Sequence, residues 1–108
     1  MIRKISVITV SVAMLAALTL AMQAQADEKS AGLYKAKCAV CHGATGKGDT
    51  PAGKSMGVPS STDATVAAKS DAELRATIEK GKNKMPAYGK SLKAQEIDGL
   101  VAYIRSLK

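Results

Sequence analysis

The chain has 108 residues, 16 of them basic against 9 acidic, for a formal charge of +7, with no Trp, no Phe and three Tyr. Its two cysteines allow at most one disulfide, which excludes a multiply stapled scaffold, and so few aromatics supply a self-sufficient core poorly. Domains this small bury only about 60% of their unfolded surface and usually need a fixed ligand or other staple, so composition favours a cofactor without naming it.

The N-terminus reads as a targeting segment. Met1-Ile2-Arg3-Lys4 is basic, residues 5–20 are apolar, and Ala24-Gln25-Ala26 has the A-x-A form of a peptidase site ahead of Asp27-Glu28-Lys29. This predicts a signal peptide over residues 1–26, cleaved after Ala26, and one domain over residues 27–108. The competing reading is an uncleaved anchor over residues 5–22, because the apolar run approaches spanning length. Arg3 and Lys4 leave with the signal and no acid does, so the remaining 82 residues carry a formal +5.

Three helices are predicted within the domain. Residues 29–38 are rich in helix formers, with Leu33 and Tyr34 as the apolar pair. Residues 70–80 open on a capping box, Ser70 with Glu73, and Gly81 stands where a helix would stop. In the last segment Ile97, Leu100, Val101, Ile104 and Leu107 share one face at helical spacing, with Tyr103 beside them. Gly99 weakens it by roughly 1 kcal/mol against Ala, and Ser91 is a better N-cap candidate than Lys93. Residues 43–59 hold five Gly and two Pro and are expected to form a loop. No segment alternates with period two, so the fold class is all-α.

Two functional patterns overlap in residues 38–55. Cys38-Ala39-Val40-Cys41-His42 is a C-x-x-C-H, in which two thiols can add to one edge of a porphyrin while the adjacent imidazole reaches its iron. Gly48 to Ser55 spells the phosphate-binding G-x-x-x-x-G-K-[ST]. A P-loop requires a buried strand before it and a helix after it. Here neither flank qualifies, so neither nucleotide nor nucleic acid is an expected ligand. A zinc site would lack a fourth ligand, thiol–disulfide exchange would expect a βαβ setting, and a plain disulfide fits the two thiols as well. His42 is the only histidine, so a second axial ligand to iron must be of another type. Met85, in the polar run Lys82-Asn83-Lys84-Met85-Pro86-Ala87-Tyr88, follows His42 by 43 residues and can reach the opposite face; Met56, 14 residues on, would need a tight wrap.

With the C-x-x-C-H, the later Met-Pro-Ala-Tyr and the terminal Leu-Val-Ala-Tyr-Ile-Arg in this order, residues 29–108 resemble a small bacterial class I monohaem cytochrome c. The resemblance implies three to four helices around one covalent haem c, with crossed N- and C-terminal helices and Tyr34 near Leu100 and Tyr103. It implies thioethers at Cys38 and Cys41 and iron ligands at His42 and Met85. It also implies a haem contact at Tyr88, and a loop proline, Pro51 by placement, whose carbonyl orients the His42 ring. The family often has Gly two turns before the first Cys, at the helix crossing, where this chain has Ser30. The absence of Trp means that no indole binds the haem propionates.

Such a centre suits one-electron transfer and leaves no open iron position for substrate. The expected function is therefore an exported, periplasmic, monomeric electron carrier rather than an enzyme. Lys35, Lys37, Lys47, Lys80, Lys82, Lys84 and Lys90 flank the two ligand segments and would steer it to acidic docking faces. Fitting partners are a terminal oxidase, a quinol-oxidising complex or a dehydrogenase. The alternative is a haem sensor or peroxidase-like enzyme with a displaceable methionine.

Overall fold

The structure is a computed structural model that describes the backbone of residues 2–108 and the side chains of residues 10–23 and 27–108. The A-x-A at residues 24–26, on which the cleavage reading rests, lies outside the described side chains. Among the described residues six helices run in chain order: α1 Ile2–Lys37, α2 Ala39–His42, α3 Pro51–Met56, α4 Ala64–Ala67, α5 Asp71–Lys80 and α6 Ala94–Ser106. Among the described residues there is no strand, only an isolated bridge between Lys82 and Met85.

The first helix begins far earlier than the predicted residue 29. No Gly or Pro occurs between Ile2 and Gly32, so nothing breaks the backbone ladder between the apolar segment and the domain. The stretch Val10–Lys37 is long and apolar enough to cross a membrane, and Val10, Leu15, Leu18 and Met22 lie exposed along it.

The C-terminal part of α1 packs on α6, and their contact forms the core. Tyr34, Ile78, Leu92, Ile97, Leu100 and Val101 are buried together, and the Tyr34 and Tyr103 rings meet with centroids 5.1 Å apart at 50°. The predicted stripe on α6 is therefore the buried face, and Tyr34 packs with Leu100 and Tyr103 as the resemblance implied. The role of Gly99 differs from the expectation. A Cβ built there would stand 2.4 Å from the Ser30 Oγ, so the missing side chain is what lets the two helices approach. The small residue that the family tends to carry on the first helix sits here on the last, opposite a buried Ser30.

Local capping explains the other boundaries. Ser70 accepts from the Glu73 N–H at 3.1 Å while the Glu73 carboxylate accepts from the Ser70 N–H at 2.7 Å, the predicted capping box of α5. At α6 the N-cap is Lys93, whose N–H donates to Glu96 at 2.9 Å; Ser91 instead donates to the Tyr88 carbonyl. The expected loop over residues 43–59 contains α3. Thr50 caps it by accepting from the Gly53 N–H, Pro51 occupies the first turn, and Gly57 closes it at φ 67°. Proline at N1 behind a threonine cap starts a helix even in a glycine-rich stretch. Arg105 to Asp71 at 2.6 Å and Arg75 to Asp98 at 3.0 Å tie α5 to α6 at the surface.

Candidate functional site

Helix α2 is one turn long and is the turn that carries C-x-x-C-H. A single turn leaves its carbonyls without intrahelical partners, and here each finds one elsewhere. Thr50 Oγ1 donates to the Val40 carbonyl at 2.8 Å and lies 3.2 Å from that of Cys41. The Gly48 N–H donates to the His42 carbonyl at 2.7 Å. The buried Tyr34 hydroxyl donates to the Gly43 carbonyl at 2.7 Å; burial first, then the charges of Cys38, Tyr103 and Asp49, push its pKa up to about 12. The segment that spells a P-loop is thus a clamp on the back of α2. Lys54 and Ser55 fall in the last turn of α3, the wrong end of a helix for phosphate.

Gly53 marks the closest approach in this clamp. A Cβ there would lie 2.2 Å from the Cys41 carbonyl oxygen and 2.7 Å from that of Gly48. Gly53→Ala is therefore expected to push α3 off α2 and to destabilise the protein by about 1–3 kcal/mol. Gly32→Ala, where nothing lies within 4 Å, should stabilise α1 by up to about 1 kcal/mol. Thermal melts of the two variants check the contrast.

The turn forms one wall of a cavity of about 440 Å³, within the range of small-molecule and cofactor sites. Cys38, Cys41 and His42 line it together with Met85, Tyr88, Leu74, Ile78 and Ile104. Both thiols are free. Burial pushes the Cys38 thiol pKa up against the opposing pull of Lys37. Burial also holds the His42 imidazole below its ordinary pKa, so the ring is neutral with a lone pair to donate at neutral pH. Among the described residues no three His, Cys, Asp or Glu side chains gather as a metal-ion site. A second cavity of about 270 Å³ shares Ser61, Val66, Leu74 and Ile104 with the first but reaches none of the sulfur or imidazole groups. Two thiols three residues apart, one neutral imidazole and a largely apolar chamber fit a porphyrin.

Met85 is held by its backbone. Its N–H donates to the Lys82 carbonyl at 2.9 Å and its carbonyl accepts from the Lys82 N–H at 3.2 Å. Asn83 takes the left-handed conformation at φ 52°, which asparagine tolerates better than most residues. The Met85 side chain is half-buried and packs on the core. Tyr88 is likewise drawn in: its N–H donates to the Ile78 carbonyl at 2.9 Å and its hydroxyl to the Lys37 carbonyl at 3.3 Å. Burial, then the nearby Cys38 and Cys41, raise its phenol pKa.

Met56 reaches the cavity wall, carried there by α3, although it remains 44% exposed. Pro51 stands in the first turn of α3, and the cavity lining includes Pro59; both prolines are exposed. Thr50, Gly53 and Pro59 were missed by sequence reasoning; the Thr-Pro pair, read as cap and first turn, was the available signal for α3.

No curated protein matches the chain. The family model described as cytochrome C oxidase, cbb3-type, subunit III matches residues 24–104, from the domain half of α1 through nearly all of α6. The chain belongs to that family, as a small, all-α class I monohaem cytochrome c that carries covalent haem c and works in haem-based electron transfer.

Proposed function

We propose that the protein is an exported single-electron carrier in which Cys38 and Cys41 hold the haem by thioethers and His42 and Met85 hold its iron from opposite faces. The observation that carries this is the convergence of both free thiols, the one imidazole and a backbone-anchored methionine on one apolar cavity. When bound, the haem supplies a ferric/ferrous couple whose potential is raised by thioether ligation.

The chain's own residues do the remaining work. The carbonyls of α2 are pinned from outside, so the turn presents its thiols and imidazole in one orientation. Tyr88 packs beside the cysteines and ties the methionine segment to the end of α1. The chemistry needs no titrating pair and no substrate position, which fits a carrier rather than an enzyme. Lys37, Lys82 and Lys84 stand exposed on the cavity wall, with Lys35, Lys47, Lys80 and Lys90 exposed on the same segments. They would steer a monomer toward acidic faces of a terminal oxidase, a quinol-oxidising complex or a dehydrogenase. Export follows from the basic and apolar N-terminus, with removal of residues 1–26 expected to free the domain into the periplasm.

Protein made with haem maturation tests this. A haem absorption that survives denaturation and a one-electron redox titration are expected, as is electron transfer to an acidic partner that slows as salt rises. No covalent haem would overturn the reading; a rate indifferent to salt would remove the steering alone.

A further inference from the structure

A porphyrin fixed through its vinyl edge turns its two carboxylates to the opposite edge, and a largely apolar cavity must supply something cationic or polar there. Helix α5 measures out where that edge falls. Its Ile78 carbonyl is bonded to Tyr88, and the Tyr88 hydroxyl is bonded to the Lys37 carbonyl beside Cys38. The C-terminal end of α5 is thus tied, across the length of the Tyr88 side chain, to the cysteine side of the cavity. Lys69 precedes the Ser70 N-cap at the other end of α5, and from Asp71 to Ile78 the helix alone rises about 10 Å at 1.5 Å per residue. Leu74, Thr77 and Ile78 on one face of α5 line the cavity, and so does Lys69 just before that helix.

Resting on the haem reading above, we propose that Lys69 supplies the counter-charge for a carboxylate of the bound porphyrin. Four lysines line the cavity, and Lys69 alone among them is half-buried, whereas Lys37, Lys82 and Lys84 are exposed. Its backbone is fixed, because its carbonyl accepts from the Arg105 guanidinium. Its ammonium takes part in none of the ion pairs among the described residues. Glu73, which feels its charge, is fully exposed and already engaged by the Ser70 N–H. A half-buried cation on an apolar wall, at the end of α5 opposite its tie to the cysteine side and with no acid paired to it, is a site for an anion.

The test compares Lys69→Gln, Lys69→Arg and Lys84→Gln as holoproteins. The first readout is the propionate bending band in the resonance Raman spectrum, and the second is the equilibrium with a redox dye. Lys69→Gln should shift the propionate band and move the dye equilibrium toward ferric protein between about threefold and tenfold, as expected for one charge lost at this range. Lys69→Arg should restore both. Lys84→Gln, on the methionine side, should leave the propionate band in place. Covalent haem with an unmoved band in Lys69→Gln overturns the assignment, as does a band that answers to Lys84→Gln instead. Wild-type protein without covalent haem overturns the haem reading, and this inference with it.

Discussion

The double variant Cys38→Ala/Cys41→Ala is expected to lose all covalent haem and, with it, the cooperative fold. The cavity that the two cysteines border has a volume of about 440 Å³. Without a porphyrin its apolar walls are left to water, at about 25 cal/mol for each Å² that the haem would have covered. A small domain has only about 5–15 kcal/mol of stability to lose. The described core cannot make up the difference, since only Tyr34, Ile78, Leu92, Ile97, Leu100 and Val101 are buried. Wild-type protein should therefore show a sharp helical melt by circular dichroism, and the double variant a broad, early loss of signal. Single Cys→Ser variants keep one thioether and should fall between the two. A colourless double variant with a wild-type melt would show that the chain closes its cavity unaided.

The legible parts of this protein were those set by neighbours in sequence. The Ser70–Glu73 box needs only three residues of context, and the α6 stripe needs only the helical period, so both appear in the structure as read. C-x-x-C-H likewise carries its chemistry in five residues. Contacts distant in sequence were not legible. Gly99 looked like a defect because the residue it accommodates, Ser30, lies on the other terminal helix. Helix α3 was hidden because the glycines on either side outweighed the Thr-Pro signal between them. Once α3 exists, the path of the whole loop changes: Pro51 starts the helix, and Met56 and Pro59 reach the cavity wall.

With Met56 and Met85 both on the cavity wall, proximity does not choose between them as the proposed axial ligand; sidedness and anchoring favour Met85. Helix α3 is bound to the back of α2 through Thr50 and Gly53, so Met56 belongs to the same side of the cavity as His42. Iron in a porphyrin takes its two axial ligands from opposite faces, and Met85 comes from a separate segment beyond α5. Met85 is also held at both its N–H and its carbonyl, whereas Met56 ends a six-residue helix and is 44% exposed. Met85→Ala should therefore abolish the long-wavelength sulfur-to-iron charge-transfer absorption of the ferric protein. It should also shift the ferrous/ferric equilibrium toward ferric by at least about tenfold, or about 59 mV for one electron. Met56→Ala should leave the absorption and the potential within error of wild type. Optical spectra and redox titrations of the two variants decide it: an absorption lost in Met56→Ala and kept in Met85→Ala would overturn the assignment and make α3 the source of the second iron ligand.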